Sequence, residues 1–190
     1  EHVRKRFGRP ALLVENSEWG RGMQQRLREH IAQAGLELAD EAVFNRGATD
    51  FRAELARLRA KGADVLLMIA NPLEGNYIVR AMAAQPDPLP VVAHWGITAT
   101  DLWAESRHAI AQLELDVFQT ASLIDNPRPR AQALVQRYLQ RYDVASPQDI
   151  IAPQGVTQAY DLVHLLAAAL RQAGTSERQA VREALQDLPP

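Results

Sequence analysis

The sequence predicts an α/β fold: a parallel sheet with helices on both faces, followed by a mainly helical tail. Three observations carry this reading. Short apolar runs without polar alternation recur through the first 120 residues, as in strands buried on both faces. Between them lie segments whose apolar residues return every three or four positions, the period of a helix with one covered face. No two neighbouring runs are joined by a hairpin turn, so each connection is a helical crossover of right-handed sense.

The first strand is Pro10–Glu15, ending in Asn16 and Ser17. Ser17 is placed to cap a helix whose apolar positions Met23, Leu27, Ile31 (with His30) and Ala34 share a face, and Gly35 supplies the stop. Glu41–Phe44 follows as a strand. Asp50 then caps a helix over Phe51–Lys61 with Phe51, Leu55 and Leu58 on one face, closed by Gly62. The most apolar strand, Asp64–Ala70, leads into a helix from about Leu73 to Ala84, and Leu89–Ala93 is the fourth strand. A helix around Thr98–Gln112 and a strand-like Asp116–Thr120 complete the unit. The break Asp125–Pro129, with prolines at 127 and 129, marks a boundary between an α/β lobe over 1–124 and a helical segment over 125–190. Only helices are expected beyond it: Arg130–Tyr142, about Val156–Ala173, and Ser176–Leu188.

Charge and composition narrow the function. Twenty-one basic against 23 acidic residues give a net charge of −2, so no basic field exists to hold a phosphate backbone, and nucleic acid is not an expected partner. The Arg4-Lys5-Arg6 cluster reads as a solvated leading segment. No run of about 18 apolar residues is present, and Glu1–Pro10 lacks the apolar stretch of a signal peptide. With no cysteine, disulfides, thiolate zinc sites and cysteine nucleophiles are all ruled out, while an oxidising compartment remains compatible.

In an open parallel sheet, ligands gather outside the carboxyl ends of the strands. Those ends carry Asn16 to Gly20 with Trp19, then Asn71 to Gly75 with Glu74, then His94-Trp95-Gly96. Polar and aromatic residues beside glycines suit a small molecule held by stacking and a few directed hydrogen bonds. Each also has a structural reading: Trp19 as packing beside a cap, Asn71 as a turn before Pro72, Glu74 as complement to a helix N-terminus, and His94 as a satisfied strand-end group. Dinucleotide, P-loop, serine-hydrolase and zinc-protease motifs are missing. His2, His30, His94, His108 and His164 lack ligand spacing, so neither metal nor cofactor is expected.

The runs ALLVENSEWGRG at 11–22, TDFRAELARL at 49–58, GADVLLMI at 62–69 and PVVAHWG at 90–96 together resemble the second half of type I periplasmic solute-binding proteins, in particular the branched-chain amino acid (Leu/Ile/Val) receptor family of ABC importers. The resemblance spans about Arg9 to Leu188. It implies two α/β lobes that clamp a solute in a cleft, a chain that crosses the hinge three times, and an ABC permease as partner in an extracytoplasmic, periplasmic setting. The stretch to about Thr120 then resembles the core of the second lobe. The helices after Asn126 resemble those that return to the first lobe, and the chain is expected to be a fragment of a longer receptor whose signal peptide lies outside it. Position by position, the resemblance places the cleft-facing aromatic at Trp19, a ligand-facing residue at Asn71, and Trp95 where amino-acid receptors carry a carboxylate for the ligand's ammonium group. Glu74 is the nearest substitute acid. A ligand without an ammonium is therefore expected, since a tryptophan offers one N–H and a π face but no charge. The alternatives left open are a sensing module of a signalling receptor and a small α/β enzyme using His94 and Glu74 as acid and base. The helical tail, with Leu162, Leu165, Leu166 and Leu170 on one side, is expected to favour self-association.

Overall fold

A computed structural model describes residues 2–188. Among these, the residues up to Thr120 form one compact unit and those from Ala121 onward a second. The first unit runs α1 (His2–Arg6), β1 (Pro10–Glu15), α2 (Glu18–Gln33), β2 (Asp40–Phe44), α3 (Arg52–Ala60), β3 (Val65–Ile69), α4 (Pro72–Ala83), β4 (Val91–His94), a 3-10 turn (Trp95–Thr98), α5 (Leu102–Ile110) and β5 (Leu115–Phe118).

All five strands pair in parallel, in the order β2-β1-β3-β4-β5. The most apolar runs occupy the middle: every residue of β1 and β3 is buried, whereas the edge strands β2 and β5 keep partly exposed positions. This is the distribution that burial on two faces demands. Ala11, Leu13, Leu66, Met68, Val91 and Ala93 face α3, α4 and α5, whose Leu55, Leu58, Ile78 and Met82 close over them. Leu12, Val14, Leu67, Ile69 and Val92 face the other way, against Met23, Leu27 and Ile31 of α2 and Val3 of α1. The two faces are thus unequally covered. A groove of about 490 Å³ remains on the α2 side, with Leu67, Ile69 and Val92 in its floor.

Several boundaries differ from the sequence expectation, each for a local reason. Asp50 does not cap α3; it accepts from Arg52 N at 3.1 Å and pairs with the same residue's guanidinium at 2.6 and 2.9 Å, so Phe51 takes the cap position without a side-chain bond. The helix expected over Thr98–Gln112 divides because Asp101 accepts from Ala104 N at 2.9 Å and starts α5 afresh. The strand expected at Asp116–Thr120 starts one residue earlier and ends two earlier, at Leu115–Phe118. The Arg4-Lys5-Arg6 segment is helical rather than merely solvated, with Arg6 paired to Glu114 and, at 2.9 Å, to Asp116 on the β5 edge.

The second unit holds α6 (Pro129–Tyr142), a 3-10 turn (Pro147–Asp149), α7 (Pro153–Ala173) and α8 (Arg178–Gln186). The last helix starts later than expected because Glu177 accepts from Ala180 N at 2.9 Å. Ala169 of α7 packs with Val181 and Ala184 of α8, and Leu123, Val135 and Ile150 form a second small cluster. Leu162, Val163, Leu165 and Leu166 of α7 are exposed. No helix among the described residues is long and apolar enough to cross a membrane.

Candidate functional site

The strand order places a candidate crevice. From β1 the chain moves outward to β2, then returns across to β3 on the other side, so the direction of winding reverses between β1 and β3. Helices leaving on opposite faces at such a point separate, and their N-termini flank an opening at the carboxyl end of the sheet. Here α2 leaves on one face and α4 on the other.

The α2 side is aromatic. Ser17 accepts from Gly20 N at 3.1 Å, fixing the first turn of α2 with Trp19 on it. Gly20 allows that turn to press on the end of β1, for a Cβ there would lie 1.9 Å from the carbonyl oxygen of Glu15. Alternation along β4 puts His94 on the face of Val92, the α2 side. The edge contact of Trp19 with His94 has ring centroids 5.2 Å apart at 66°, and Trp95 lies against the imidazole at 4.9 Å and 35°. The backbone N–H of Gly96 donates to His94 Nδ1 at 3.0 Å. Burial pushes the His94 pKa down, and the bond from Gly96 requires the lone pair on Nδ1. The imidazole is therefore neutral, with its proton assigned to Nε2 by this hydrogen bond. His94 and Trp95 also border the apolar groove on this face.

The α4 side is polar. Glu15 ends β1 on the face of Leu13 and is fully buried. Asn71 donates from Nδ2 to Glu15 Oε2 at 2.6 Å, and Arg46, in the loop after β2, donates from Nη2 to Oε1 at 3.0 Å. Asn71 thus occupies the cap position of α4 without a side-chain cap bond, while Pro72 begins the helix with its φ already suitable. Glu74, in the first turn of α4, is 1% exposed and accepts from Gly47 N at 2.6 Å. Gly47 has φ +84°, a left-handed conformation that glycine adopts without a Cβ penalty.

Of the five residues singled out from sequence, the structure gathers Trp19, His94 and Trp95 into one aromatic group and places Asn71 across the crevice from it. Glu74 is directed to the β2 loop. Two polar residues at this end of the sheet were not among the five, Glu15 and Arg46. A lone carboxylate at the end of the otherwise apolar PALLVE run was a signal for the first; the loop around Arg46 carried none. The arrangement offers stacking surfaces, a neutral ring nitrogen and a guanidinium. No group of three metal-ligating side chains occurs among the described residues.

The sequence profile of the family described as "Periplasmic binding protein" matches residues 1–189. Among curated proteins, the Leu/Ile/Val-binding protein homolog 1 of Brucella abortus (strain 2308) is 22% identical over 181 residues, covering 95% of this chain and 46% of that protein. Among solved structures, a periplasmic binding protein type 1 from Bordetella pertussis Tohama I superposes with a TM-score of 0.87 at 21% identity, covering 98% of this chain and 52% of its own. The branched-chain amino acid transporter substrate binding protein LivJ from Streptococcus pneumoniae, in complex with isoleucine, gives 0.82 at 20% identity, over 97% and 50% of the two chains. At these identities the structural likeness shows the fold. The chain spans about half the length of the relatives it matches.

Proposed function

The chain belongs to the periplasmic binding protein family, and from that premise we propose that its α/β unit is a ligand-binding lobe of an extracytoplasmic receptor that delivers a small solute to the permease of an ABC importer. The observation that carries this reading is the convergence of Trp19, His94 and Trp95 at the carboxyl end of the sheet, beside the point where the strand order reverses. Two indoles, with centroids 5.2 and 4.9 Å from that of the imidazole they share, form a surface for a planar or apolar solute.

The solute in this reading lacks an ammonium group. Trp95 stands where the resemblance places an acidic residue, and the substitute, Glu74, is buried with an oxygen committed to Gly47 N. A buried ammonium without a paired charge or several acceptors is costly. Organic acids, amides and aromatic compounds are the candidates. The helical segment after residue 124 supplies, in the same reading, a layer for the other lobe, which the exposed leucines of α7 would cover.

Isothermal titration with leucine, phenylalanine, their amides, and aliphatic and aromatic carboxylic acids tests the proposal. Saturable binding of a solute without an ammonium, weakened at least tenfold by Trp19→Ala or Trp95→Ala, supports it. Absence of binding across the panel, or binding indifferent to both substitutions, overturns it.

A further inference from the structure

The two walls of the crevice differ in character, and the polar wall has received no role beyond structure. Resting on the binding reading above, we infer that Arg46 selects a solute bearing an anionic group, with Glu15 as the residue that positions it.

The geometry has three parts. Glu15 is fully buried and receives one hydrogen bond on each oxygen, from Asn71 and from Arg46. The Arg46 side chain is 73% exposed, and its Nε and Nη1 have no partner among the described residues. A buried carboxylate therefore holds one corner of a planar guanidinium and leaves its remaining donors facing outward, an arrangement suited to receiving a second carboxylate. The loop that carries Arg46 is pinned on both sides: Asn16 Nδ2 donates to Asn45 Oδ1 at 2.8 Å, and Gly47 N donates to Glu74. The cation is thus presented from a fixed backbone.

The surrounding charges agree. At this end of the sheet Asp50, Glu74 and Asp101 each accept a backbone N–H, from Arg52, Gly47 and Ala104. The N-termini of α2, α3 and α4 open at the same end and add partial positive charge. Glu15 on β1 and His94 on β4 lie two strand spacings apart, about 10 Å. A solute with a ring at one end and a carboxylate about six bonds away spans that distance across the end of the sheet, stacking on the aromatic wall and reaching Arg46, beside Glu15, with its charge.

The alternative role for Arg46 is simply to neutralise Glu15, and one experiment separates the two. The 190-residue chain is titrated at pH 7, by tryptophan fluorescence and calorimetry, with 6-phenylhexanoate, 6-phenylhexanamide and 6-phenylhexylamine, which share a ring and a chain long enough to reach Arg46 and differ in charge. The inference expects the carboxylate to bind about tenfold more tightly than the amide, and the amine more weakly than either. In Arg46→Gln, which retains a donor for Glu15, the carboxylate preference falls to within about twofold while amide binding persists; the double variant Glu15→Gln/Arg46→Gln, with no buried charge to leave unpaired, behaves likewise. Equal binding of carboxylate and amide in the parent, or a preference that survives Arg46→Gln, overturns the role of Arg46 and leaves the binding reading standing. Failure of all three probes to bind overturns both.

Discussion

The side-chain amide of Asn71, at the start of α4, donates a 2.6 Å hydrogen bond to Glu15 Oε2 at the end of β1, tying together the strands between which the sheet reverses its winding. A carboxylate without solvent exposure depends on such partners, because an unsatisfied buried acceptor bears its full desolvation penalty.

Asn71→Ala is accordingly expected to lower stability by about 1–3 kcal/mol, read from urea denaturation. Asn71→Asp, which sets a second carboxylate against Glu15, is expected to cost more at pH 7 and to recover in part on acidification. A neutral effect of both would show that Glu15 is satisfied in another way.

Two glycines two residues apart in α2, on different sides of the helix, predict opposite signs. Gly20→Ala places a Cβ 1.9 Å from a backbone oxygen, and backbone cannot yield as a side chain can; a loss of about 1–3 kcal/mol or more is expected. Gly22→Ala meets nothing within 4 Å and gains helix propensity, so stability rises by roughly 0.5–1 kcal/mol. Thermal denaturation of the two variants side by side checks the pair.

His94 sets a pH dependence of known sign. Its folded-state pKa lies below the ordinary value of 6.5, so around and below that pH the unfolded chain binds the proton more readily than the folded one. The stabilisation is complete above about 6.5 and is lost as pH falls through the folded-state value. His94→Gln, whose side-chain oxygen can still accept from Gly96 N, is expected to flatten the decline in melting temperature between about pH 7 and 5. Parallel curves for parent and variant would contradict it.

The exposed Leu162, Val163, Leu165 and Leu166 of α7 predict concentration-dependent association of the 190-residue chain. Sedimentation velocity is expected to show a rising weight-average mass, and Leu162→Lys combined with Leu166→Lys to suppress it. A strictly monomeric profile across concentrations contradicts the prediction.

Much of the fold was legible because its signals are local. The uninterrupted apolar runs at Pro10–Glu15 and Val65–Ile69 could only be buried strands, and Ser17 and Gly35 bracket α2 by cap chemistry alone. Boundaries moved where an Asp side chain had more than one local partner to choose from: Asp50 turned to Arg52, and Asp101 restarted α5. In the site, the aromatic wall was visible because tryptophan at a strand end is rare enough to notice. The polar wall was not, since Arg46 acquires its meaning only from a pairing with Glu15, 31 residues earlier. Glu74 looked available from its place in a first helical turn; its direction toward Gly47 depends on the packing of β2 beside β1.

The central claim is that a solute rests against Trp19, His94 and Trp95. The chain holds three tryptophans, and the third, Trp103, is half exposed on α5, away from the aromatic group. Indole N–H resonances followed through titration with 6-phenylhexanoate therefore report the site directly. Saturable shifts at Trp19 and Trp95 with Trp103 unmoved are the predicted result; a shift confined to Trp103, or none that saturates, would contradict the account.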